Sequence, residues 1–331
     1  MARDFESNLR DADGAETRQP SPVIDRTMGR RQWAVLLLLG LIWGGSFFLI
    51  KVAVTHVPTF SYVWLRVAIA AAALLLFLRV RGTALGIPRG AWGMMLILSL
   101  LNNVVPFLLF GWASTQGPSG LVSILNATTP IWGVLLAHAF TSDERLSAAR
   151  LLGVLLGFGG VATMIVPALI GSGGMGLLAQ TACLVGAFSY AVAGVFSRRF
   201  KALNISPMSV TAGQLAMSAL LLLPVMLLFD QPWHAALPPL SAIGAILTIS
   251  LVCTAFAYVL YFRLIETSGA SNALLVPILT PPIAILLGGL FLGEALHAGD
   301  FAGLGLIALG LAAIDGRCFI LLAKARLRSA A

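Results

Sequence analysis

The feature that most constrains this chain is repetition. Ten stretches of roughly 20 residues, rich in leucine, valine, isoleucine, alanine and glycine, follow one another with almost no charge, and each is long enough for a helix across about 30 Å of hydrocarbon. In hydrocarbon only helices and closed barrels satisfy their own backbone polar groups. With 59% hydrophobic and only 10% charged residues, against about 25% charged in soluble domains, the chain reads as an all-α polytopic membrane protein. The runs cover residues 33–54, 60–80, 91–113, 119–140 and 148–169, then 175–197, 207–229, 239–263, 270–292 and 299–317. They leave no room for a soluble domain between them.

Residues 1–31 are polar and of mixed charge, with Pro20 and Pro22, and are too poor in apolar side chains to fold alone. They read as a disordered cytoplasmic tail, too long and acidic for a signal peptide, so the first run is retained. Residues 318–331 form a second, basic tail. Direction follows from the basic residues. Arg79, Arg81 and Arg89, then Arg145 and Arg150, then Arg198, Arg199 and Lys201, then Arg263, and those at the two ends of the chain, all fall on one side if the spans number ten. Only Lys51 and Arg66 fall elsewhere, so both termini are expected to be cytoplasmic. The net charge of +8 is thus topological, with no basic face interleaved with aromatics to suggest nucleic acid. Cys183, Cys253 and Cys318 lack disulfide or metal spacing and read as packing residues.

The chain also repeats at a larger scale. LNATTPIWGVLLAHAF and VPILTPPIAILLGGLF align Thr129-Pro130 with Thr280-Pro281, and beyond a one-residue gap Glu144, Leu146 and Gly153 with Glu294, Leu296 and Gly303. Residues 32–170 and 171–317 therefore read as two copies of a five-helix unit. Five is odd, so the second copy enters the membrane from the opposite side, as in the inverted repeats of many secondary transporters.

Within the first run stands IWGGSFF, residues 42–48, where a tryptophan, two glycines and a serine interrupt the leucines. Trp33, Trp92 and Trp233 sit near span ends, where membrane tryptophans usually lie, whereas Trp43 is at mid-depth and wants a polar partner or a cavity. Gly40, Gly44 and Gly45 allow close approach of a backbone or a ligand. Cavity lining and plain packing both stay open for this segment. Arg66 lies about 9 Å into the second span at 1.5 Å per residue. Lys51, near the outer end of the first, reads either as a coupling or gating residue or as a snorkelling one.

Every carboxylate in the apolar region, among them Asp143, Glu144, Asp230, Glu266, Glu294, Asp300 and Asp315, falls at a connection or a span end. An unneutralised Arg66 suits a substrate that carries a carboxylate, and no mid-membrane acid offers itself as a proton carrier. His138 is a coupling candidate or an interfacial residue. The remaining mid-span polar groups are Ser46, Asn102, Asn103, Asn126, Ser189, Tyr190, Gln214, Tyr258, Tyr261 and Asn272. Of these Ser46, Asn102, Asn126, Ser189, Tyr190 and Tyr258, with Trp43 and Arg66, form the expected substrate-binding set. Pro130 and Pro281, flanked by Pro277 and Pro282, are gating candidates or static kinks. No catalytic constellation and no phosphate-cradling loop appears, so neither enzyme chemistry nor a cofactor is expected.

IWGGSFFLIK in the first run, Leu65-Arg66 in the second, the two Thr-Pro pairs and the E-x-L turns at Glu144 and Glu294 together resemble the EamA-type branch of the drug/metabolite transporter superfamily, over about residues 33–316. The resemblance implies ten helices as two inverted repeats around a central cavity. It implies export of amino acids, aromatic and other neutral ones included, and of related small metabolites across a bacterial inner membrane. The expected partners are that small-molecule substrate and the lipid bilayer, with a monomer as the working unit. Three alternatives stay open: a drug or cation exporter, which would want an embedded acid; a nucleotide-sugar carrier, which would want more basic residues; and a channel, which would want a continuous water path.

Overall fold

A computed structural model describes residues 29–140, 148–169, 175–268 and 276–315. Among the described residues all regular structure is helical. The helices are α1 (Arg30–Val54), α2 (Thr59–Val80), α3 (Arg89–Gln116), α4 (Ser119–Phe140), α5 (Ala148–Leu169), α6 (Leu177–Ala202), α7 (Pro207–Phe229), α8 (Leu240–Ser268), α9 (Val276–Leu292) and α10 (Ala298–Asp315). Seven of them, α1 to α4 and α6 to α8, are long and apolar enough to cross a membrane. The apolar stretches of the others, Leu151–Thr163, Leu279–Leu292 and Ala298–Ala313, are shorter. Asn272, Asp143, Glu144, Arg145, Cys318 and both tails lie outside the described residues.

Helix starts follow proline chemistry. Pro58, Pro118 and Pro239 stand just before α2, α4 and α8, and Pro207 is the first residue of α7, behind a Ser206 cap that accepts from the Ser209 N–H at 3.1 Å. Two ends differ from the apolar runs: α6 continues to Ala202 through Arg198, Arg199 and Lys201, and α8 continues to Ser268 through Arg263 and Glu266. Backbone hydrogen bonding does not stop where the apolar run stops, and Arg199 and Lys201 in the last turn of α6 suit its C-terminus.

Both Thr-Pro pairs repair their own helix. Proline lacks the N–H that would reach the carbonyl four residues back. At Pro130 that carbonyl, Asn126 O, accepts from the Thr129 hydroxyl at 2.7 Å; at Pro281 the corresponding Pro277 O accepts from the Thr280 hydroxyl at 3.0 Å. α4 breaks at Ala127 and Thr128, whereas α9 runs through Pro281 and Pro282. Two further irregularities are π-helical turns, Leu100–Val104 within α3 and Ile249–Phe256 within α8.

Packing follows one rule. α1 packs on α9 and α8; α6 packs on α4 and α3; α2 packs on α7 and α8, and α7 in turn on α3; α5 packs on α10 and α4 on α9. Exchanging helices one to five with six to ten leaves this pattern unchanged. α1 and α9 run in the same direction, because Gly40, Gly44 and Gly45 meet Leu279, Ile283 and Leu287 in order. α5 and α10 run in opposite directions, with Gly160 against Gly303 and Gly310 against Gly153. The glycines of IWGGSFF are thus the floor on which α9 rests: a Cβ on Gly44 would lie 2.6 Å from Ile283 Cβ and 2.8 Å from the Thr280 carbonyl oxygen.

The two ends of the bundle are built differently. At the end that carries Lys51, the halves are tied by polar caps. Glu294 accepts from the Ser119 N–H at 2.8 Å and the Ser119 hydroxyl at 2.6 Å, and Asp230 accepts from the Ser61 N–H at 2.6 Å, each carboxylate meeting the positive end of a helix from the other half. Gly293, with φ +63°, turns the chain so that Glu294 folds back, and the bare Gly288 leaves its carboxylate room. Lys51 donates to the Ser114 and Gly117 carbonyls at 2.7 and 3.0 Å, capping the C-terminus of α3. Toward the Arg30 end, two separate apolar clusters form: Leu36, Leu39, Ala257, Leu264 and Val276 of α1, α8 and α9, and Met95, Leu98, Ala193, Phe200 and Val210 of α3, α6 and α7.

Two substitutions test this packing by thermal unfolding in detergent. Gly44→Val is expected to destabilise by about 1–3 kcal/mol through overpacking against α9, whereas Gly45→Ala, whose Cβ would meet only Leu287 at 3.5 Å, is expected to be neutral. Glu294→Ala leaves the fully buried Ser119 uncapped and is expected to cost about 1–3 kcal/mol, with wild-type unfolding showing instead that the cap is dispensable.

Candidate functional site

Arg66 is the centre of the site. It stands within α2 and is only 9% exposed, yet its partners are neutral. Nε donates to the Thr254 hydroxyl at 3.1 Å, Nη1 donates to the Tyr62 hydroxyl at 3.3 Å, and the guanidinium lies over the Phe107 ring with 3.7 Å to the centroid. Tyr190 and Cys253 are within electrostatic range of it. Among the described residues no carboxylate faces it. A buried cation with neutral neighbours is several kcal/mol short of what water would give it, and a stacked ring returns only about 0.5–2 kcal/mol. The remaining N–H groups make no hydrogen bond among the described residues, and a guanidinium with such groups to spare can take a carboxylate bidentately.

Around Arg66 the π turns supply backbone. An i→i+5 turn widens the helix and leaves a carbonyl to be met from outside, and unmet backbone groups are rarely tolerated in a protein interior. Trp43 donates its indole N–H to the Cys253 carbonyl in the α8 turn at 3.1 Å. Ser189 donates its hydroxyl to the Leu101 carbonyl in the α3 turn at 2.7 Å. The two bonds correspond: in each, the middle of one half's first helix reaches the π turn of the other half's third helix. The mid-depth indole has the polar partner it needs, on a helix 210 residues away.

Aromatic side chains close the neighbourhood. Trp43 meets Tyr258 at 6.5 Å and Tyr261 at 5.3 Å between ring centroids, and Tyr258 stacks on Phe262. Tyr190 stacks on Phe110 at 5.8 Å and meets Phe107 edge-on at 6.4 Å. Asn102 donates to the Gln214 side-chain carbonyl at 3.1 Å and stands within reach of the Tyr258 hydroxyl, while Asn103 donates to Ser218 at 3.1 Å. Trp43, Arg66, Asn102, Ser189, Tyr190 and Tyr258 therefore belong to one connected neighbourhood built from α1, α2, α3, α6 and α8.

Other expected site residues are placed differently. The Ser46 hydroxyl donates to the Trp43 carbonyl at 2.6 Å within its own helix. Asn126 stands at the break of α4, and its buried amide oxygen has no hydrogen-bond partner among the described residues. Lys51 caps α3 rather than reaching toward Arg66, and His138 is exposed near the Phe140 end of α4. Pro130 and Pro281 sit at the two repaired helix positions described above. Tyr62, Phe107 and Thr254 contact Arg66 in the candidate site, and sequence reasoning missed them. Tyr62 precedes Arg66 by four residues, one helical turn, and that spacing alone was a usable signal. Phe107 and Thr254 reach Arg66 from α3 and α8, with no local mark.

Comparison with known proteins agrees with this architecture. A crystal structure superposes with a TM-score of 0.62, covering 86% of this chain and 96% of that chain at 22% identity, which establishes a shared fold. The chain is 27% identical to the uncharacterized transporter YoaV of Bacillus subtilis, over 83% of this chain and 94% of the relative. It is 25% identical to the uncharacterized inner membrane transporter YedA of Escherichia coli, over 84% and 89%. It is also 25% identical to a probable amino-acid metabolite efflux pump of Salmonella typhimurium, over 86% and 94%. The EamA-like transporter family matches residues 32–166 and again residues 177–314. On that double match, spanning most of both halves, the chain belongs to the EamA-like transporter family.

Proposed function

We propose that this chain is a secondary transporter that exports amino acids, aromatic and other neutral ones included, and related small metabolites across a bacterial inner membrane by alternating access. The observation that carries this reading is the buried Arg66, lying over Phe107 with no carboxylate beside it among the described residues. An amino acid supplies the missing anion, and Trp43, Tyr190 and Tyr258 offer faces for its side chain. A cationic drug would meet repulsion from the same group. The name of the Salmonella relative points the same way.

The membrane arrangement in this reading has ten spans as two inverted repeats, residues 32–170 and 171–317, with both termini in the cytoplasm. Three observations support it: the packing pattern that survives exchange of the halves, the π turns and Thr-Pro pairs in corresponding helices, and the basic residues gathered at the Arg30 end. The polar ties at the Lys51 end and the separated apolar clusters at the Arg30 end fit a conformation closed outward. Lys51 in this reading holds the outer end of α3 in that state. The working unit is a monomer, since the site is built within one chain.

Reconstituted liposomes and a panel of labelled amino acids test the proposal. Wild-type protein is expected to give saturable flux of neutral and aromatic amino acids. Arg66→Met is expected to lower it about tenfold or more while unfolding at the wild-type temperature or above, because no buried anion is left unpaired. Flux of a cationic dye with none of any amino acid would contradict the reading.

A further inference from the structure

The π turn of α8 holds three contacts at adjoining positions. The Cys253 carbonyl accepts from Trp43 of α1. The Thr254 hydroxyl accepts from Arg66 Nε of α2. The same hydroxyl donates to the Ile249 carbonyl, five residues back, at 2.9 Å. A hydroxyl has one proton to give, and here it goes to the carbonyl whose spacing defines the π register, while its lone pair faces the guanidinium. Thr254 is 1% exposed, so no water competes for either role. The corresponding turn of α3 has the Ser189 bond to Leu101 but, among the described residues, no charged group bound to its side chains. The two turns are alike in backbone and unlike in chemistry.

We infer that Thr254 is the positioning residue that ties the Arg66 guanidinium to the π turn of α8, so that a carboxylate arriving at Arg66 is registered as a change in that turn and in its Trp43 latch. This rests on the proposed amino-acid transport and assigns its regulation to a specific element. Phe107 fixes the plane of the guanidinium, and Thr254 and Tyr62 fix its rotation within that plane, which leaves the outer edge aimed at the substrate. An incoming carboxylate draws the guanidinium toward itself and lengthens the Nε to Thr254 bond. The hydroxyl then loses a charged donor, and the bond that stabilises the five-residue register is the one weakened. π turns interconvert with α turns by shifting one hydrogen-bond register, so a small displacement of Arg66 becomes a rotation of α8 beyond the turn. That segment carries Tyr258 and Tyr261, both packed on Trp43.

Cys253 is a native reporter, being 4% exposed and part of the turn itself. Cys183→Ser and Cys318→Ser leave it as the one thiol of the three in the chain. In proteoliposomes, maleimide labelling of Cys253 is followed with and without L-phenylalanine, beside the concentration dependence of phenylalanine flux, for the parent, Thr254→Ser and Thr254→Val. The expected result is a phenylalanine-dependent labelling rate in the parent and in Thr254→Ser. In Thr254→Val that dependence is lost and half-saturation rises about tenfold, the weight of one hydrogen bond to a charged group. Thr254→Val with the parent's half-saturation and the parent's labelling response overturns the inference. Should no amino acid move or alter labelling in the parent, the transport reading fails by itself. The tie is then judged without ligand: faster Cys253 labelling in Thr254→Val upholds it, and an unchanged rate overturns it.

Discussion

Hydrocarbon offers no hydrogen bond, and that single constraint organises this molecule from backbone to site. At Pro130 and again at Pro281 the proline frees a carbonyl, and the hydroxyl of the threonine one residue before takes it. Each π turn frees a carbonyl, and a side chain from the opposite half takes it, Trp43 in one case and Ser189 in the other. Arg66 is a buried cation whose demand is met only in part. Its neighbours among the described residues give it an aromatic face and two hydroxyls but no anion. In the proposed reading, a buried cation with no anion beside it among the described residues is where a ligand completes the structure.

The same economy explains how the halves hold together. Lipid tails are as apolar as leucine, so helices in a membrane associate through close packing and specific polar contacts. Gly40 and Gly44 bring α1 onto α9, while glycines on α5 and α10 bring those two backbones together. Carboxylate caps stand at the Lys51 end, where Glu294 and Asp230 each cap a helix of the other half, while further polar ties between the halves, such as Asn102 with Gln214 and Asn103 with Ser218, lie within the spans. An interface whose carboxylate caps stand at one end can separate at the other while it pivots at the capped end. That is the mechanical requirement of alternating access.

Much of this was legible in the sequence because bilayer thickness fixes helix length. The apolar runs place the helices to within a few residues, except where α6 and α8 extend through charged side chains that hydropathy counts against a span. Arg66 stood out because a charge inside an apolar run is rare, and Trp43 because its depth is wrong for an interface. The π turns were hard to read: nothing in LLNNV or ISLVCTAF departs from helical pattern, Pro106 just past the first is the one local mark, and the partners that meet their carbonyls lie more than 80 residues away in sequence. Thr254 was hidden for the same reason. Ser46 shows the converse, a polar residue in a signature segment whose hydroxyl is spent on its own helix.

The central claim is that Arg66 waits for a carboxylate. Equilibrium binding of L-phenylalanine and of phenethylamine, which lacks only the carboxylate, to purified wild-type protein and to Arg66→Met tests it most directly. Saturable binding of the amino acid to wild type, with neither the amine on wild type nor the amino acid on Arg66→Met binding measurably, is the expected result. Equal binding of acid and amine, or undiminished binding of the amino acid to Arg66→Met, would contradict it.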